Sequence, residues 1–152
     1  MNQHHFENFQ PSDFLSLAEK LIEYNEEHEL DNSSLERTIY GRIYYGTFLF
    51  VRTWLDEKTD FNVKNTGKDH QNIPRYLKVH GPFEPSKNNM ISDDIKTLKK
   101  LRHQADYYLK FPDENSREYN RWISDDVHYA LDLAENIINS FNELDQDLKF
   151  KN

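Results

Sequence analysis

The sequence predicts an all-α fold, a four- to five-helix up-down bundle, and three observations carry that prediction. Apolar residues recur at steps of three and four through long segments, the spacing of one helical face. Turn-forming residues concentrate in two gaps, at 58–69 and 81–90, rather than every eight to twelve residues as in a β-sandwich. Glycine and proline are scarce, with four and five in 152 residues. That length suits one domain, 1–152, with its core over about 12–148. No internal repeat or low-complexity linker divides it.

The first helix is expected over 11–30, capped by Ser12 or Asp13 with Pro11 just outside. Its apolar face reads Phe14, Leu17, Ala18, Leu21 and Tyr24, and Glu23, Glu26, Glu27 and Glu29 form a solvated face. The second spans 33–57 behind Ser33 or Ser34. Leu35, Ile39, Ile43, Phe50 and Trp54 make one stripe, and Tyr40, Tyr44, Phe48, Val51 and Leu55 a neighbouring one. So wide an apolar girth predicts the most buried helix. Gly41 and Gly46 are poor helix formers there, which implies that a neighbouring backbone comes close.

Asn65-Thr66-Gly67 marks the 58–69 segment as a loop. A short helix follows over about 70–80, with Ile73, Tyr76, Leu77 and Val79. Residues 81–90, rich in Gly, Pro and Asn, read as a second loop. Ser92 then caps a helix over 92–110, with Asp93 and Asp94 in its first turn. Ile95, Leu98, Leu101, Ala105 and Leu109 line its core side, and Lys96, Lys100, His103, Tyr107 and Lys110 follow one another on a different face. The last helix, 115–148, carries an unbroken seam of Ile123, Val127, Ala130, Ala134, Ile137, Phe141, Leu144 and Leu148. Such a seam suggests packing against a second copy, hence a homodimer. The alternative is one long helix lying along the whole bundle.

Composition narrows the functional classes. There is no cysteine, so neither a disulfide framework nor a thiolate metal site exists. The start, Met1-Asn2-Gln3-His4-His5, lacks a basic patch followed by an apolar run, and no apolar stretch is long enough to span a bilayer. A cytoplasmic protein without a membrane role is expected. The net charge of −8 argues against a general nucleic-acid coat protein. That average conceals a pattern: residues 1–57 sum to −7, residues 58–110 to +5 and residues 111–152 to −6. A basic middle between acidic ends can make a local phosphate-binding face, or folding can intersperse the charges. No Gly-rich phosphate loop is present, no metal site is indicated, and no cofactor is expected.

Two segments together resemble the HEPN family of helical bundles. The first is Arg42-Ile43-Tyr44-Tyr45-Gly46-Thr47-Phe48. The second is Leu98-Lys99-Lys100-Leu101-Arg102-His103-Gln104-Ala105-Asp106-Tyr107-Tyr108, where many members place a Leu-Arg pair followed by Ala-Asp-Tyr. Order, spacing and helical context agree over about residues 12–145. The resemblance implies a HEPN-like bundle with one of two activities. One is a metal-independent endoribonuclease, often a toxin, in which two copies bring their Arg/His motifs into a shared cleft and the RNA 2′-hydroxyl is the nucleophile. The other is a partner or substrate-binding subunit for a minimal nucleotidyltransferase in toxin–antitoxin or antiviral defence systems.

The match is incomplete at the catalytic position. Arg102 matches the motif Arg and His103 the polar residue after it, but Tyr107 stands where the active pattern has His. A tyrosine, with an ordinary pKa of about 10, is a poor proton carrier near neutral pH. The candidate catalytic set is therefore Arg102, His103 and Tyr107, with His103 as substitute acid or base. The departure favours a non-catalytic subunit that binds nucleotide or RNA. The alternatives are an active dimeric ribonuclease and a structural assembly subunit without nucleic-acid binding.

Lys96, Lys99, Lys100, Arg102 and Asp106 are the candidate nucleic-acid or nucleotide-binding residues. Arg102 and Asp106, four apart, suit an ordinary intrahelical ion pair or a phosphate-binding Arg held in place by its carboxylate. The lysines suit a phosphate face or a plain solvated one. Tyr107 and Tyr108 point to different sides. Core packing is the default for both, Tyr107 can stack on a base, and the resemblance makes either a candidate for modification by a partner nucleotidyltransferase. Arg42 lies on a mostly apolar helix and requires a partner, expected to be a carboxylate. Arg75 with His80 and Arg121 with His128 also fit a loose Arg/His spacing, at a frequency chance supplies. Arg121, Asp125, His128 and Asp132 read as one solvated, salt-bridged face.

Overall fold

The segment with the widest apolar girth sits at the centre of the protein. The computed structural model describes residues 10–28, 33–107 and 126–151. They form helices α1 (Ser12–Glu27), α2 (Ser33–Lys58), α3 (Asp69–His80), α4 (Pro85–Tyr107) and α5 (Val127–Lys151), and among the described residues there is no strand. α2 packs against each of the other four. Ile39, Ile43, Val51 and Leu55 are fully buried in it, together with Tyr44 and Phe48. A helix apolar on most sides is stable only when covered on most sides.

Named contacts give the direction of each helix. Pro11, just before α1, and Phe14 of α1 meet Gly46 of α2, and Arg42 lies over the Phe14 ring, so α1 and α2 run antiparallel. Arg37 bonds to the carbonyl of Ala105 while Arg102 lies over Tyr44 and Tyr45, so α2 and α4 run antiparallel. Phe50 meets Phe141 and Trp54 donates to Asp145 at 2.9 Å, so α5 runs parallel to α2. The four long helices thus alternate up and down, with the short α3 laid against α4. Among the described residues, no helix is long and apolar enough to cross a membrane.

Several local expectations need correction. The buried face of α1 is Leu15, Ala18 and Ile22, whereas Leu17 and Tyr24 are 41% and 50% exposed. The helix is rotated by about one residue, because Leu15 and Ile22 bring branched aliphatic bulk to the α2 side. Ser12 does not cap α1. Asp13 instead accepts the Gln10 backbone N–H at 3.0 Å. A side chain at Gly46 would meet Phe14 Cβ at 3.0 Å and the Pro11 carbonyl at 3.2 Å, the close approach expected there. A side chain at Gly41 would meet nothing within 4 Å, so close packing does not explain that glycine. Arg42 finds the Phe14 ring at 5.3 Å rather than a carboxylate.

The 81–90 loop is also shorter than expected. α4 begins at Pro85 and Ser92 lies inside it. Proline suits the first helical position, where its missing N–H costs nothing. The buried Asn88 side chain then ties the turn together. It accepts from Phe83 N at 3.0 Å and donates to the Gly81 and Phe83 carbonyls at 3.1 and 2.9 Å. Ser92 is fully buried, and its hydroxyl donates to the Pro74 carbonyl at 2.8 Å, joining α4 to α3. In α5 the seam from Val127 to Phe141 is buried within one chain, while Leu148 is 47% exposed. That stretch therefore lies along its own bundle and supplies no surface for a second copy. The expected start of this helix, with Ile123, Arg121 and Asp125, lies outside the described residues, as do Leu109 and Lys110.

Candidate functional site

Helix α4 turns Ile95, Leu98, Leu101 and Ala105 into the core. Residues 99, 102 and 106, at steps of three and four, share a half-covered flank of the same helix facing α2. Arg102 dominates it. Its side chain is 22% exposed, and its Nε donates to Asp106 Oδ2 at 3.0 Å. Its guanidinium carbon lies 4.9 Å from the ring centre of Tyr45 and 5.6 Å from that of Tyr44. Aromatic faces attract a cation and fix the plane of the guanidinium. Among the described residues the Asp106 bond is the one hydrogen bond Arg102 makes. It uses Nε, leaving both terminal amino groups for another acceptor.

His70, absent from the sequence-based candidates, joins the same cluster from the second residue of α3. Its ring stacks on Phe48 at 4.0 Å and meets Tyr45 edge-on at 6.2 Å. Its Nδ1 shares a hydrogen bond of 2.5 Å with the Tyr44 hydroxyl. The preceding residue fixes its position. Asp69 is fully buried, and its carboxylate accepts the backbone N–H groups of Lys64 and Asn65 at 3.0 and 2.9 Å. Asn65 adopts φ 55°, a left-handed conformation that asparagine tolerates. Burial lowers the His70 pKa below its ordinary 6.5, and the charges of Lys99, Arg102 and Arg52 lower it further, against a smaller opposing pull from Asp69. Burial likewise raises the Tyr44 pKa, which Arg102 partly offsets. Near neutral pH the imidazole is therefore neutral and the phenol protonated.

A cleft of about 280 Å³ opens beside this cluster. Arg37, Arg42, Tyr45, Arg102 and Asp106 line it, and Gly41 forms part of its wall. The open space above Gly41 is the cleft itself. Arg37 donates to the Ala105 carbonyl in the last turn of α4, where a cation is favoured. The cleft thus offers guanidinium groups and an aromatic face, the equipment for a phosphate group carried by a planar base. A larger groove, about 610 Å³, lies between α2 and α5 beside Trp54, Glu57 and Asp145. It is farther from the cation cluster, and its Trp54 and Asp145 are bonded to each other.

The sequence-based candidates divide between two faces of α4. Lys99, Arg102 and Asp106 come together with Tyr44, Tyr45 and His70. Lys96, Lys100, His103 and Tyr107 do not, and all four are exposed. Lys96 pairs with Asp93 at 3.9 Å, and His103 stacks on Tyr107 at 4.6 Å, with Tyr107 66% exposed. Tyr108 lies outside the described residues. On another side of the bundle His128, from the face read as salt-bridged, meets Glu26 of α1 at 2.5 Å. His70, Arg52 and Arg37 have no local motif to announce them. The one available signal is a histidine directly after a turn-closing aspartate, opposite the Tyr-Tyr helix.

No known family model matches the chain, and no solved structure matches it. A protein of Methanocaldococcus jannaschii, described as uncharacterized protein MJ0628, is 30% identical over 156 residues, covering 93% of this chain and 90% of that protein. Identity at that level across nearly the whole of both chains places this protein in the same family as MJ0628.

Proposed function

We propose that this chain is a HEPN-type subunit that binds nucleotide or RNA at the Arg102 cleft. It acts with a nucleotidyltransferase or another toxin–antitoxin or defence component in the cytoplasm. The observation that carries the reading is Arg102, held by Asp106 over the Tyr44 and Tyr45 rings with its terminal amino groups turned to no other acceptor among the described residues. A guanidinium fixed by its Nε edge and face presents a ready fork to phosphate. The homodimer and the protein partner rest on the sequence resemblance alone. The test is titration of the purified protein with uridine monophosphate and with a fluorescently labelled decauridylate, beside Arg102→Ala. Binding by the native protein that the variant loses supports the reading. Failure of the native, folded protein to bind either probe would overturn it.

One observation favours the second reading, a metal-independent endoribonuclease. The histidine missing at position 107 has a spatial substitute, because His70 reaches the same cluster from α3. A neutral imidazole can take a proton from a ribose 2′-hydroxyl as it attacks the adjacent phosphate, while Arg102 stabilises the charge that develops. RNA cleavage in EDTA that requires both Arg102 and His70, with 2′,3′-cyclic phosphate and 5′-hydroxyl ends, is the result that distinguishes it.

A further inference from the structure

The cation cluster extends beyond the cleft. Arg52 lies over the Phe48 ring at 5.5 Å, and Phe48 stacks on His70. Lys99 precedes Arg102 by three residues, on the same flank of α4. Both Arg52 and Lys99 are half-buried, and among the described residues neither takes part in an ion pair. Both charges act on the His70 ring together with that of Arg102. In a chain of net charge −8, three partly covered cations are thus gathered with two carboxylates, Asp106 paired with Arg102 and Asp69 buried in the turn before His70. Gathering them costs free energy through mutual repulsion, which an anion would relieve.

We infer that Arg52 and Lys99 form a second phosphate subsite beside His70, so that the ligand is a nucleotide bearing at least two phosphate groups. The inference rests on the nucleotide-binding reading of the Arg102 cleft. Tyr45, which faces Arg102, and Arg52 are seven residues apart on α2, about 10 Å along the helix. The wall between them is aromatic, with Tyr45, the His70 edge and Phe48 in sequence. Tyr45, which lines the cleft, is the ring that can accept a base by stacking without selecting its sequence, while the buried Phe48 holds His70 and Arg52 in place behind it. Successive phosphates of a single-stranded chain fit this layout, and so do the outer phosphates of a nucleoside polyphosphate. Both share the same chemistry, a planar base flanked by separated negative charge.

The test is a competition series on the full chain, with uridine monophosphate, adenosine triphosphate and labelled decauridylate as probes. Arg52→Gln/Lys99→Gln is compared with Arg102→Ala, and circular dichroism confirms that both variants fold. The double glutamine variant is expected to lose at least about tenfold more affinity for a polyphosphate probe than for the monophosphate. For decauridylate, the dependence of log affinity on log salt should become shallower by about 0.7 for the phosphate no longer neutralised. Sensitivity confined to decauridylate identifies a nucleotide chain, and sensitivity confined to the triphosphate identifies a nucleoside polyphosphate. Equal losses for all probes, with an unchanged salt slope, would overturn the second subsite while leaving the Arg102 reading intact. Absence of binding to any probe by the native protein would overturn both.

Discussion

Helix α4 carries two sets of functional-looking residues less than a third of a turn apart, and their surroundings differ sharply. Lys99, Arg102 and Asp106 look toward α2, where rings, a half-buried histidine and further cations meet them. Lys96, Lys100, His103 and Tyr107 look toward solvent, where His103 stacks on Tyr107 and Lys96 pairs with Asp93. An exposed charge is mobile and screened, and contributes little to either stability or recognition. A charge held over an aromatic face beside a cleft is already oriented, so less ordering is lost when an anion arrives. Two residues as close in sequence as Arg102 and His103 can therefore have very different functional weight.

The largest expected effect separates those two residues directly. Arg102→Ala should reduce affinity for decauridylate by about tenfold to a hundredfold, the loss of one or two charged hydrogen bonds. His103→Ala should change it by about twofold or less. Similar losses for both variants would erase the distinction between the two faces. Stability should divide the helix in the same way. Ser92→Ala removes a buried hydroxyl and its bond to the Pro74 carbonyl, for a loss of about 1 kcal/mol in urea unfolding. Lys96→Ala, which breaks an exposed pair, should cost about 0.5 kcal/mol or less.

Two smaller effects sharpen the comparison. A Cβ at Gly41 meets nothing, so Gly41→Ala should stabilise α2 by about 0.5–1 kcal/mol in thermal unfolding. Gly41→Phe should instead fill the cleft and weaken decauridylate binding without unfolding the protein. The α1–α5 interface gives the opposite electrostatic case, with carboxyls crowded in place of cations. Glu135 has its pKa raised, first by partial burial and then by a hydrogen bond and charge from Glu19, with the Asp132 charge adding to the shift. A raised pKa means the folded state holds the proton more tightly, so this group's contribution falls as pH rises through that value. Glu135→Gln should therefore stabilise the protein at pH 7 by roughly 0.3 kcal/mol, given solvent screening, and the gain should vanish in acid.

Much of the fold was legible because helix periodicity and burial are local properties of the sequence. Ile39, Ile43, Val51 and Leu55 marked α2 as central from their spacing alone. The misreadings arose where a residue's usual role was replaced by a tertiary one. Asn88 and Pro85 look like loop residues, yet one ties the turn and the other opens the helix. Ser92 resembles a cap but bonds across to Pro74. The site was legible to a similar extent. Arg102, Asp106 and Lys99 lie on one helix at helical spacing, so sequence alone groups them. His70 and Arg52 reach the cluster only when α3 and α2 fold against α4, and no spacing along the chain encodes that meeting. Conversely, His103 and Tyr107 looked attractive because they stand beside the right residues in sequence, whereas a step of one residue turns a side chain to another face.

The most direct test of the inward-facing site is a histidine-ring NMR titration of the whole protein, with and without uridine monophosphate. Burial and the charges of Lys99, Arg102 and Arg52 disfavour the His70 imidazolium. The stability linked to this ring is therefore complete above about pH 6.5 and is lost as pH falls through the lower folded value. His70 is expected to titrate below 6.5 in the free protein, and its pKa should rise when the phosphate dianion arrives, while the His103 ring signals at constant pH stay in place. Movement of the His103 signals with no change at His70 would contradict the inward-facing site and would shift binding to the outer face of α4.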